Sequence, residues 1–162
     1  LPTPRMNALL RIAPVLVIAV LAACSTGPVR RVSEPAASIQ QLSVRADGSW
    51  TVEVRLHNYS SIPMQFDRVE LALTIAGQSA GSVQAAPALR VGPESADVVS
   101  IAHAPAATAR MALTDALAGN RAVDYRLEGS VQATPESAKQ RSFDVKRDSR
   151  LSPVPGLPGV LR

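Results

Sequence analysis

Apolar and polar residues alternate without a break from Trp50 to His57. Trp50, Val52, Val54 and Leu56 fall on one side, and Thr51, Glu53, Arg55 and His57 on the other. A period of two is the mark of a β-strand with one buried and one wet face. Burial of each large apolar side chain in such a row contributes about 1.5–3 kcal/mol, so the row sets its own register: a slip of one residue would bury Glu53 and Arg55. The same pattern recurs along the chain. Ile39, Leu42 and Val44 make a short strand upstream, with Asp47-Gly48 as the turn between. Residues 58–63 interrupt the alternation with Asn58, Ser60, Ser61 and Pro63. It resumes over residues 66–75, where Val69, Leu71, Leu73 and Ile75 oppose Arg68, Glu70, Ala72 and Thr74.

Beyond the turn at Ala76-Gly77-Gln78, residues 79–85 form a weaker strand, residues 87–94 are turn-rich around Leu89 and Val91, and Val98, Val99 and Ile101 mark a strand over 96–102. Alanine and helix formers then dominate residues 106–118. Met111, Leu113 and Leu117 recur at helical spacing, and Gly119-Asn120 supplies the stop. This is read as one short helix that caps an open end of the sheets. Strict alternation returns over 123–132, with Val123, Tyr125, Leu127, Gly129 and Val131 on the apolar side. Thr134-Pro135-Glu136 ends that strand, and residues 140–146, with Phe143 and Val145 on one side, pair with it as a hairpin. About seven short strands with turn signals at regular intervals predict an all-β fold: an immunoglobulin/fibronectin-type antiparallel β-sandwich with one short connecting helix.

The amino-terminal part obeys a different pattern. A basic segment beginning at Met6 and ending at Arg11 leads into an apolar run over 12–23, and the string Leu21-Ala22-Ala23-Cys24 follows. The run is about 12 residues long and contains Pro14, whereas a membrane span needs roughly 20. It reads as a secretory signal, and its end resembles the lipobox of bacterial lipoproteins. The resemblance implies that the Cys24 thiol receives a diacylglyceryl group, that cleavage occurs before it, and that the new amino terminus is acylated. Cys24 is then an anchor and not a catalyst. An ordinary cleaved signal would instead leave an unpaired thiol on an exported protein.

The organisation expected is a signal peptide over 1–23 (1–5 lying upstream of a start at Met6), a lipid-anchored tether over 24–38, a sandwich over 39–150, and a disordered Pro/Gly-rich tail over 151–162. Fully extended, the tether would reach about 40 Å from the bilayer, with Arg30-Arg31 near its headgroups. Ser25 after the cysteine, by resemblance to enterobacterial sorting, implies an outer-membrane protein facing the periplasm, with the inner membrane as the alternative.

Charge adds little. The chain carries +4 at pH 7, which falls to about +2 once Arg5 and Arg11 leave with the signal, and the remaining basic residues form no run. Nucleic acid is not an expected partner. Cys24 is the only cysteine, so internal disulfides are excluded.

Candidate chemistry is sparse. There are two histidines and no HExxH, GxSxG, phosphate-loop or paired-cysteine motif. His57 falls on a polar strand face, and His103 ends an edge-like strand before Pro105. Alternation puts Asp67 and Glu70 on opposite faces. Tyr125 sits in the apolar row, as a core aromatic whose hydroxyl finds a backbone partner. No catalytic residue, metal or cofactor is expected.

The string Val52-x-Val54-x-Leu56-x-Asn58, followed by Ile62-Pro63, Phe66-Asp67-Arg68-Val69-Glu70-Leu71, Gly77 and Gly81, resembles the late embryogenesis abundant type 2 domain, also called the water stress and hypersensitive response domain. Val123-x-Tyr125-x-Leu127-x-Gly129-x-Val131 is similar to its penultimate strand, and the resemblance covers about 39–150. Where that family has Asn-Pro-Asn, this chain has Asn58-Tyr59-Ser60. The resemblance implies a non-catalytic protein of stress protection, in desiccation or osmotic shock, that binds unfolded client proteins or a membrane surface. Two alternatives stand beside it: a module docking another envelope protein, and a carrier of a lipid-like ligand between the sheets. The candidate interaction loop is Asn58, Tyr59, Ile62, Pro63, Met64 and Phe66, with Tyr59, Ile62 and Met64 as its exposed apolar contacts.

Overall fold

The strand rows assemble into two facing antiparallel sheets in a computed structural model that describes residues 27 and 29–162. The signal segment and Cys24 lie outside the described residues. The elements are β1 (Ala36–Val44), β2 (Trp50–Asn58), β3 (Met64–Ile75), β4 (Gln78–Ala85), β5 (Leu89–Val91), β6 (Ser95–His103), α1 (Ala107–Ala118), β7 (Val123–Pro135), β8 (Arg141–Leu151) and β9 (Val160–Leu161). One sheet has the order β6-β2-β1-β9; the other has the order β4-β3-β7-β8, with β5 pairing with β3. They form the β-sandwich that the alternation predicts.

The inward row of β2 is fully buried at Trp50, Val52, Val54 and Leu56, facing Leu71, Leu73, Leu127 and Val131 from the other sheet as one core. Gly129 interrupts the β7 row for a steric reason. It pairs with Leu71, and a Cβ there would overlap the carbonyl oxygen of Glu70. Two register slips adjust β3. One, between Phe66 and Arg68, lets Phe66 and Val69 both face inward although they are three residues apart. The other bulges β4 at Ala80, where Leu73 pairs with Gly81 and Thr74 with Ser79.

α1 packs on β4 and β3 through Ala109, Leu113 and Ala116. Of the three residues that suggested the helix, Leu113 is buried, Leu117 packs at the core margin and Met111 is 70% exposed. Met111 lies two residues beyond Ala109 and so points off the packed face. The left-handed residue at the stop is Asn120, with φ of 49°, and not Gly119.

Two boundaries differ from expectation. Residues 151–162 are not a disordered tail. Leu151 and Leu161 are buried, Ser152 and Arg162 exchange backbone hydrogen bonds of 2.6 and 2.9 Å, and β9 adds to β1 with Leu42 opposite Leu161. The prolines and glycines form the tight turn of a hairpin, Gly156 and Gly159 taking φ of +80° and +76°. Composition pointed to disorder, but the apolar residues at the hairpin ends close the edge of β1. The compact unit also begins earlier than expected, at Arg31 and not at residue 39. Residues 31–35 are bonded to a loop, and β1 starts at Ala36.

Candidate functional site

The candidate loop is built around the last residue of β2. Asn58 continues the inward row of Trp50, Val52, Val54 and Leu56, so its amide is buried at the end of the core. A buried amide must spend its donors and acceptor on partners. Asn58 Nδ2 donates to the carbonyls of Ile62 and Gly92, both at 2.9 Å, with that of Val91 at 3.3 Å, and Oδ1 accepts from the Ser60 amide at 2.9 Å. One side chain thus joins the β2–β3 loop to the β5–β6 turn.

Ser60, also fully buried, extends the network. Its hydroxyl accepts from the Ser33 amide at 2.9 Å, and its carbonyl accepts from the amide of Glu94, a residue held at φ of 48°. Arg31 closes the end. Its amide donates to Ser61 Oγ at 2.7 Å, its carbonyl accepts from the Ser61 amide at 3.0 Å, and its guanidinium reaches the Tyr59 carbonyl at 3.1 Å and Glu94 at 3.5 Å.

This network corrects the reading of the loop as an apolar contact surface. Ile62, Met64 and Phe66 are buried, and Pro63 is partly so. β3 begins at Met64, two residues earlier than the alternation suggested, and Met64 and Phe66 supply its first inward positions. Tyr59 is the exposed member, at 47%, with its ring stacked on His57 at 4.1 Å.

His103 ends an edge strand, β6, but it faces the core and not solvent. It is buried, and its Nε2–H donates to the Ala80 carbonyl at 2.8 Å, tying β6 of one sheet to the bulge of β4 in the other. The readable signal was parity, since His103 follows Val99 and Ile101 by steps of two. Trp50 packs near it with ring centroids 6.2 Å apart, and the Trp50 indole N–H is buried without a partner.

Asp67 and Glu70 also depart from expectation. The bulge after Phe66 turns Asp67 to the outer face that Glu70 shares, where Asp67 accepts from Thr134 Oγ1 at 2.6 Å, Gln140 Nε2 at 3.0 Å and Gln65 Nε2 at 3.1 Å. Desolvation is the largest single influence on this carboxyl and raises its pKa. The three hydrogen bonds together prevail and hold it below its ordinary value. Glu70 bonds instead to Gln84 at 3.4 Å, so the two carboxylates do not act as a pair.

The rest of that outer face is a charge ladder. Arg126 bonds to Asp148 at 2.6 Å and Arg150 to Asp124 at 2.8 Å, and each hydrogen bond raises the pKa of its guanidinium. A shallow groove of about 690 Å³ crosses it between Glu70, Ser82, Glu128, Ser130 and Lys146, with Gly129 among its lining residues. Among the described residues no group of three or more His, Cys, Asp or Glu is placed to hold a metal ion, and no helix is long and apolar enough to cross a membrane. The buried polar side chains Asn58, Ser60 and His103 all spend their hydrogen bonds on backbone groups. None is poised against a nucleophile.

A family model described as late embryogenesis abundant protein matches residues 53–148. No curated protein matches the chain. Among solved structures, the chain is similar to a solution structure from Arabidopsis thaliana at 12% identity, covering 83% of this chain and 91% of that one with a TM-score of 0.49. A solution structure described as a late embryogenesis abundant protein is 16% identical over 91% of this chain and 83% of its own, also with a TM-score of 0.49. A crystal structure from Archaeoglobus fulgidus is 13% identical over 76% and 98%, with a TM-score of 0.42. The family match spans more than half of the sequence and contains β3 to β7 with most of β2 and β8, and the chain accordingly belongs to the late embryogenesis abundant protein family, a stress-related and generally non-enzymatic group.

Proposed function

We propose that this protein is a non-catalytic envelope lipoprotein of stress protection, anchored through acylated Cys24 in the outer membrane and facing the periplasm. It acts in desiccation or osmotic shock by reversible contact with unfolded proteins or membrane surface. Family membership is the observation that carries the stress-protection part of this reading, and the anchor and compartment rest on the lipobox-like string Leu21-Ala22-Ala23-Cys24. The commitment of the buried polar side chains Asn58, Ser60 and His103 to backbone groups fits it, because it leaves no acid–base pair in the core among the described residues. A carrier of lipid between the sheets is disfavoured by the core itself, which is filled by fully buried Trp50, Phe66, Leu56, Leu71, Leu73 and Leu127.

With Ile62 and Met64 inside, the large apolar side chains exposed among the described residues are Val29 on the tether and Tyr59, Met111 and Leu157 on the sandwich, at 79%, 47%, 70% and 49% exposure. Suppression of aggregation of an unrelated enzyme during drying or heating, without ATP, tests the reading. The parent should protect beyond an equal mass of albumin, and serine at Tyr59, Met111 and Leu157 together should weaken protection while shifting stability by no more than about 0.5 kcal/mol per site. A parent no better than albumin would overturn it, and loss of one particular envelope partner without loss of protection would favour the docking alternative.

A further inference from the structure

Two pairs of hydrogen bonds set where the sandwich receives the segment that leads back to Cys24. Residues 31–33 are fastened by the Arg31–Ser61 and Ser33–Ser60 hydrogen bonds to the end of the sandwich that carries the β2–β3 loop and the β5–β6 turn. α1, the turn at Gly48 and the 153–159 hairpin lie at the opposite end, where Leu117 and Asn120 adjoin Pro155 and Leu157 and Arg110 lies against Gly48. β2 joins the two ends, from Trp50 to Asn58, a length of about 27 Å.

Seven residue steps separate Cys24 from Arg31. Fully extended they span at most about 25 Å, well short of the 40 Å that a free tether to residue 38 would give. For the α1 end to meet the bilayer, those seven steps would have to run back along the whole sandwich. They are too short to do so and still leave any slack.

We infer that the end bearing Tyr59, Ser61 and Glu94 is the membrane-facing surface of the protein, its partner a phospholipid headgroup layer, and that the end bearing Met111 and Leu157 is presented to the periplasm. The inference rests on the anchoring at Cys24 given above. The chemistry of the near end suits a headgroup layer. Tyr59 offers an exposed phenol ring, favoured at the membrane interface, and Arg31 and Glu94 offer charges of both signs that a zwitterionic layer accommodates. The end facing away then keeps Met111 and Leu157 free for a client.

The sole cysteine makes the test direct. The chain from Cys24 to Arg162 is coupled through that thiol to a maleimide-headgroup phospholipid in nanodiscs that also hold a gadolinium-chelate lipid, and relaxation enhancement is read at each backbone amide. Enhancement at Tyr59, Ser61 and Glu94 should exceed that at Gly48, Met111 and Leu157 several-fold. Equal enhancement at both ends, or the reverse gradient, would overturn the inference. Inserting twenty Gly/Ser residues after Gly27 should flatten the gradient, since the lengthened chain can span the sandwich. A gradient that survives the insertion would overturn the tether as its cause. Because the lipid is attached chemically, this result is independent of whether a cell acylates Cys24.

Discussion

The amide of Ile39 donates to the hydroxyl of Tyr125 at 3.1 Å, a bond between β1 of one sheet and β7 of the other through the buried core. β1 slips its register against β2 at Gln40, directly after Ile39, and the phenol supplies an acceptor where the ladder is irregular. Tyr125→Phe keeps the ring and leaves that amide unpaired in the core. The variant should lose about 1–3 kcal/mol in urea unfolding with an unchanged slope. A loss below about 0.3 kcal/mol would show that the hydroxyl is dispensable.

Asn58 holds four backbone groups from two loops. Asn58→Ala strands them together and should cost more than 2 kcal/mol, about the penalty of several buried unpaired groups. Asn58→Asp should be worse at neutral pH, because a carboxylate would face the carbonyls of Ile62 and Gly92 with no hydrogen to give. Burial would raise the pKa of the introduced carboxyl, so this variant, unlike the alanine one, should regain stability as the pH is lowered toward 5. Parallel pH profiles for the two would contradict the account.

Asp67 predicts the opposite dependence. Its pKa in the fold lies below its unfolded value, so its contribution is complete above the unfolded pKa, near pH 4, and is lost as the pH falls through the folded one. The stability gap between the parent and Asp67→Asn should therefore be present at pH 7 and shrink below about pH 4. Thermal melts of both proteins across that range measure it, and a gap constant with pH would mean that the bonds to Thr134, Gln140 and Gln65 do not depend on the charge.

The carboxy-terminal hairpin should behave as part of the core. Leu161→Ala removes a fully buried side chain and should cost about 2–5 kcal/mol. Deleting residues 153–162 should lower the melting temperature further and promote association, since it uncovers the edge of β1 at Leu42 and Ser43. A deletion that melts like the parent would restore the disordered tail.

These cases mark what the sequence makes legible. Period-two rows such as Trp50 to Leu56 and Val69 to Ile75 declare themselves, because burial on one face demands them. The His103 row is equally readable by parity: β6 is an edge strand, as its nearness to Pro105 suggests, but the parity places His103 on the inner face. Alternation alone puts Asp67 on the opposite face from Glu70; a single bulged residue reverses it, and nothing in its own neighbourhood signals the bulge. The hairpin at 152–162 and the fastening of Arg31 to Ser61 depend on partners far along the chain, Leu42 for one and a loop 30 residues away for the other. Composition alone reads such segments as loose. The break between β2 and β3 is legible, but whether its apolar residues face in or out is settled by where β3 begins.

The central claim, an envelope protein held by a lipidated cysteine, is tested most directly by the mass of the amino-terminal peptide of the mature protein purified from membranes. The account predicts a peptide that begins at Cys24 and carries a diacylglyceryl thioether and an amide-linked acyl chain, and Cys24→Ser should abolish both the modification and membrane retention. A mature peptide with a free Cys24 thiol, or one that begins elsewhere without lipid, would contradict it.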